Sequence, residues 1–92
     1  MNFEWDEKKN SINIRKHKID FADMPTVFER SMLINYDSSR DYGEDRWIGL
    51  GLLRNIVVVI IFTEPDDNNT VRIISARKAN RNERERYYKE II

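Results

Sequence analysis

The stretch richest in reactive side chains runs from Arg72 to Tyr88 and reads RIISARKANRNERERYY. It gathers Arg72, Ser75, Arg77, Lys78, Arg81 and Arg84, followed by Glu83 and the adjacent Tyr87 and Tyr88. Guanidinium groups present forked donors that match phosphate oxygens. A strand-to-helix junction adds unpaired backbone N–H groups and the positive end of a helix dipole. A carboxylate, phenol or imidazole within reach can move a proton, and arginines can steady a pentacoordinate phosphorus. These are the parts that RNA cleavage without a metal requires. Each also has a plainer use. Glu83 stands three residues after Asn80 and completes a capping box. Arg84 can pair with Glu83 or with a strand acid. One of two adjacent tyrosines must turn away from the other, and His17 can simply end a helix, where cations are favoured.

Other chemistry is thinly represented. The chain has no cysteine and one histidine, which excludes disulfides, thiol nucleophiles and thiolate metal sites and leaves little for a zinc site. There is no Gly-rich phosphate loop, no G-x-S-x-G elbow and no histidine pair at metal spacing. The acids of 37–41 and Asp66–Asp67 read as solvated loops, so no metal and no cofactor are expected. The acidic, mixed opening is not a signal peptide. The longest apolar run, Ile56 to Phe62, has seven residues, against the roughly 20 that a membrane helix needs. A cytoplasmic location without membrane contact is expected.

The elements that must position the reactive groups fit one domain spanning residues 1–92. Asp6 can cap a first helix running to about His17, with Ile12, Ile14 and Ile19 joining Trp5 on an approximate apolar side. Asp20 can cap a second, whose Phe21, Met24, Val27 and Phe28 recur at helical spacing. Pro25 lacks an N–H, so that helix either begins later, near Asp23, or bends. Met32 to Tyr36 is a short strand, Asp37 to Asp45 a polar loop, and Arg46 to Leu53 a second strand with Gly49 and Gly51 on one face. Arg54-Asn55 is a turn into Ile56 to Phe62, apolar on both faces and so central to its sheet. Glu64 to Asn69 is a loop, Thr70 to Ser75 a last strand, and Asn80 caps a helix reaching about Ile92. The reading is an α+β fold: two N-terminal helices, a four-stranded antiparallel meander and a C-terminal helix.

Sixteen Lys and Arg balance sixteen Asp and Glu, but unevenly along the chain. Residues 31–71 hold seven acids and three bases, while residues 72–92 hold seven bases and three acids. Local positive charge at the C-terminal end suits a polyanion on one face, with modest and salt-dependent affinity. The plainer reading is a solvated helix laced with ion pairs.

Three spaced motifs resemble the BrnT toxin family. The first is Phe3-Glu4-Trp5-Asp6-Glu7-Lys8-Lys9-Asn10 with Asn13, Lys16-His17 and Phe21. The second is Gly43 to Gly51 with the strand Val57 to Thr63. The third and most specific is Arg72 to Ala79 with Glu83-Arg84 and Tyr87. The resemblance implies the toxin of a bacterial type II toxin–antitoxin module, with a RelE-like fold and endoribonuclease activity that stops translation. It implies a BrnA-type ribbon-helix-helix antitoxin as partner, RNA as substrate, and operator DNA bound through the toxin–antitoxin complex. Carried over by position, His17, Arg46, Arg72, Ser75, Arg77, Glu83, Arg84 and Tyr87 match the signature. On this reading Arg72 and Arg77 clamp the phosphate in the transition state, Glu83 is the general base, and Tyr87 or His17 is the acid. Arg46, Ser75 and Arg84 bind substrate. The alternative is a non-catalytic module that holds a partner against the sheet and acts only in a DNA-binding autoregulatory complex.

Overall fold

The structure, a computed structural model, describes residues 1–65 and 69–91. Its elements in order are β1 (Asn2–Glu4), α1 (Glu7–His17), a 3-10 turn (Phe21–Asp23), α2 (Met24–Phe28), β2 (Leu33–Tyr36), β3 (Trp47–Leu53), β4 (Ile56–Thr63), β5 (Thr70–Lys78) and α3 (Arg81–Ile91). They form an α+β domain around one sheet of order β1-β5-β4-β3-β2. Of the loop expected over residues 64–69, residues 66–68 lie outside the described residues, and so does the expected helix end at Ile92.

The sheet is mixed, which corrects the expected four-stranded antiparallel, RelE-like meander. β2 to β5 do pair antiparallel in sequence. A fifth strand, β1, joins the outer edge of β5 in parallel, with Phe3 opposite Val71 and Glu4 opposite Arg72. Three residues ahead of a helix cap carry no alternation long enough to signal a strand, and their partner lies at the far end of the chain. β5 also runs three residues past Ser75, so Arg77 and Lys78 belong to the strand and not to the turn.

Local signals explain the helix starts. Asp6 accepts from the backbone N–H groups of Lys8 and Lys9 and caps α1. Asp20 accepts from Ala22 N and caps the 3-10 turn, and α2 begins only at Met24, with Pro25 in its first turn where a missing N–H costs nothing. The later of the two possible starts is therefore the one adopted.

β4 is central and buried on both faces. Val58, Ile60 and Phe62 meet Phe21, Met24, Val27, Val71 and Ile73 on one side. Val57 and Val59 meet Leu50, Leu52 and Tyr87 on the other, under α3. The face of Gly49 and Gly51 is filled by this chain itself: a Cβ on Gly51 would stand 2.5 Å from Val27 Cγ1, and one on Gly49 2.7 Å from Met32 Cε. The partner-docking surface expected at the glycines and on β4 is thus already occupied by α2, α3 and Met32.

α1 is inverted relative to its apolar pattern. Ile12 is 58% and Ile14 39% exposed, while Asn10 and Asn13 point inward and are buried. Asn10 donates to Asp20 Oδ1 at 2.9 Å and accepts from Phe21 N at 2.9 Å. Asn13 donates to Ala76 O at 2.8 Å and Ile19 O at 3.0 Å, and accepts from Ala76 N at 3.2 Å. Replacing Asn13 by alanine strands buried backbone groups on β5, and a cost of roughly 2–3 kcal/mol follows. Urea unfolding of Asn13→Ala against the parent measures it; a change under about 0.5 kcal/mol, as for an ordinary surface substitution, contradicts this account.

Candidate functional site

The site is built on β5. Ser75, Arg77 and Arg72 pair in register with Ile61, Val59 and Thr63 on β4. These three β4 positions are each two residues apart, so all point to one face, that of α3. Opposite Ile61 and Phe62 the register slips by one: Ile73 faces Phe62 and Ser75 faces Ile61, leaving Ile74 as the extra residue of a bulge. α3 packs over β2 and β3. The β5 side of this face is left beside the start of α3.

At that shoulder Arg77 and Glu83 form a two-pronged ion pair, Nη1 to Oε1 at 2.8 Å and Nη2 to Oε2 at 2.9 Å. Their side chains are 42% and 25% exposed, so the pair is open to a ligand. Glu83 Oε1 also accepts from Asn80 N at 2.8 Å, and Asn80 Oδ1 accepts from Glu83 N at 2.9 Å. The capping box therefore forms as the sequence suggests, and the same carboxylate holds the arginine. A carboxylate offers about four acceptor positions, of which three are used here and one, on Oε2, is left for a substrate hydroxyl. The bonds from Arg77, against the opposing effect of partial burial, hold the Glu83 carboxyl below its ordinary value, and the Asn80 N–H adds to this. Arg77 is correspondingly held in its charged form by Glu83.

Beyond Ser75 the shoulder continues into a cleft of about 210 Å³ between α1 and β5, lined by Lys9, Ile12, Asn13, Lys16, His17, Ile74 and Ser75. His17 is half-buried there as the last residue of α1. Ser75 thus shares the cleft with His17 and a strand face with Arg77, whose partner is Glu83; these four make up the candidate strip.

The remaining expected residues stand apart from it. Arg72 lies at the other end of β5, four β4 positions from Arg77, or about 13 Å at roughly 3.3 Å per strand residue. It is held by Glu4 at 2.7 Å and lines a separate cleft with Glu44, Asp45, Thr63 and Glu64. In this structure Arg72 and Arg77 are thus held by different carboxylates, Glu4 and Glu83. Arg46 lies over the Tyr42 ring, 3.9 Å from its centroid, and pairs with Glu44 at 3.3 Å. Arg84 donates to Ala79 O at 3.0 Å and braces the turn into α3. Tyr87 is 1% exposed, and its hydroxyl donates to Ser31 O at 2.9 Å, so it is a core residue rather than a proton donor at the surface. Tyr88, its neighbour, is the exposed one.

Sequence reasoning missed two positioning groups. Glu4 engages Arg72 only because β1 joins the sheet. Asn13 fixes α1 to β5, and a buried asparagine produces no periodic apolar signal. Among the described residues no three His, Asp or Glu side chains group so as to hold a metal ion. Nor is any helix there long and apolar enough to cross a membrane.

A family model described as the ribonuclease toxin BrnT of type II toxin–antitoxin systems matches residues 5–83. That span contains His17, Arg46, Arg72, Ser75, Arg77 and Glu83, and stops short of Arg84 and Tyr87. No curated protein matches the chain.

Because its folded value is depressed, Glu83 contributes stability that is present above its unfolded value near 4.5 and lost as pH falls through the lower folded value. Glutamine keeps the capping geometry but not the charge. The stability difference between the parent and Glu83→Gln is therefore expected to be constant at neutral pH and to shrink in acid below about 4.5. Denaturant melts over that range check it, and a difference independent of pH counts against the ion pair.

Proposed function

The chain belongs to the BrnT family of type II toxin–antitoxin ribonuclease toxins, and we propose that it is a metal-independent endoribonuclease working at the His17–Ser75–Arg77–Glu83 strip. Family membership implies an RNA substrate and an antitoxin partner. The observation that carries the mechanism is the half-buried, two-pronged Arg77–Glu83 pair with one carboxylate position unused.

In the proposed reaction the ribose 2′-hydroxyl attacks the adjacent phosphorus. Glu83 takes its proton through the unused position on Oε2. The P–O5′ bond breaks in line with the new bond, and His17 gives a proton to the departing 5′ oxygen. The products are a 2′,3′-cyclic phosphate and a 5′-hydroxyl. Arg77 and the Ser75 hydroxyl hold the non-bridging oxygens as their charge grows, which is where fixed donors contribute most. Arg72, at the far end of β5 and paired with Glu4, engages a neighbouring phosphate after exchanging Glu4 for it. Arg46 and Arg84 bind and shape from the margins. The scheme needs no cation because guanidinium groups neutralise the phosphate and side chains move both protons.

The partner that restrains this activity is, on this reading, a BrnA-type ribbon-helix-helix antitoxin, through which the complex reaches operator DNA in the cytoplasm. A second reading, a non-catalytic module within an autoregulatory complex, draws on one observation: Arg72 and Arg77 already have carboxylate partners.

Incubation with single-stranded RNA in EDTA separates the two. The enzyme reading expects fragments ending in 2′,3′-cyclic phosphate, and Arg77→Ala slows cleavage by about 10²–10³. Partner association without cleavage supports the binding module, and an Arg77→Ala variant as fast as the parent removes the mechanism. Tyr87→Phe is expected to stay within about three-fold of the parent rate while losing roughly 1 kcal/mol of stability with the Ser31 bond. A Tyr87→Phe enzyme that folds but no longer cleaves would return the proton-donor role to the phenol.

A further inference from the structure

The charge of α1 is hidden in the sequence, because the first thirty residues hold six acids and six bases. In the helix the bases separate by side. Lys9, Ile12 and Lys16 follow at three- and four-residue spacing and share one stripe, next to the stripe whose Asn13 grips Ala76. This stripe forms the helix wall of the α1–β5 cleft, opposite Ile74 and Ser75. Lys9 and Lys16 are exposed, and among the described residues neither enters an ion pair. Seven residues apart, they stand about 10 Å from each other along the helix at 1.5 Å per residue. Between them Ile12 is 58% exposed.

Two unpaired ammonium groups bracketing an apolar side chain match a repeating anion–nucleoside–anion chain. The phosphates meet the lysines, and a ribose or base lies on Ile12. Ser75 lines the cleft and shares its strand face with Arg77 two residues on, so a strand lying in the cleft continues toward Arg77. We infer that the α1–β5 cleft is a phosphate-binding track for single-stranded RNA flanking the scissile bond, with Lys9 and Lys16 as its charged groups. The inference rests on the ribonuclease reading of the adjoining strip and extends it to the path of the substrate.

The test is binding of a fluorescent RNA carrying 2′-O-methyl groups, which cannot be cut, measured by anisotropy across a salt series. Lys9→Ala/Lys16→Ala is expected to make the plot of log affinity against log salt shallower by roughly 1.4, about 0.7 for each phosphate that is no longer neutralised. In cleavage of ordinary RNA the same variant raises KM and leaves kcat within about two-fold, since both lysines bind ground state and transition state alike. Lys8→Ala/Arg15→Ala removes equal charge from the side of α1 away from the cleft and serves as control; its slope should change by less than half as much. An unchanged slope for the Lys9/Lys16 variant, or one no different from the control, overturns the track, as does loss of antitoxin affinity with RNA affinity intact. A parent protein with the lysine-dependent slope that cuts no RNA supports the track and overturns the ribonuclease reading alone.

Discussion

Asn13 closes the edge of β5. Along its first residues that edge is paired by β1, but β1 ends at Glu4 and leaves the rest without a strand. Ala76 is fully buried there, and its backbone N–H and C=O require partners. The Asn13 amide meets both, accepting from one and donating to the other as a strand residue would. One side chain thereby substitutes for a missing strand and fastens a helix to the sheet. The position of α1, the cleft beside Ser75 and the nearness of His17 to β5 all descend from that pair of hydrogen bonds. An apolar residue at 13 would pack the helix but leave the strand edge unsatisfied.

The arrangement on the other face follows from unequal cover. α3 is short and lies over β2 and β3, so Tyr87 and Val59 are sealed while the Ser75–Arg77 side remains reachable. Glu83 joins the two regions. Its carboxylate caps the helix that covers the core and orients the arginine that faces solvent. Such double use resists change, because a substitution at 83 alters a helix start and a guanidinium at once. It also keeps the carboxylate ionised in neutral solution, the form a base requires.

Strict alternation would put Arg72 on the face opposite Ser75 and Arg77. The bulge at Ile74 returns it to their face, and the length of β5 sets the three along a line. A linear row of donors suits a chain of phosphates better than a single one, and it divides the roles of Arg72 and Arg77. The acids that partner these arginines keep the row compact and screened when no ligand is present.

Features governed by neighbours a few residues apart were legible in the sequence. The caps at Asp6, Asp20 and Asn80, the disturbance of the second helix at Pro25 and the burial of β4 on both faces all depend on short-range hydrogen bonds and periodicity. The tertiary structure alone decided what depends on distant partners. Glu4 lies 68 residues from the arginine it holds, and Asn13 lies 63 from the strand edge it completes. Neither separation leaves a local trace, so β1 was invisible and the apolar pattern of α1 pointed to the wrong side. Which arginines share a ligand, which tyrosine is core and which lysines line a cleft are likewise questions of register between remote segments. Chain order lists those groups but cannot bring them to one place.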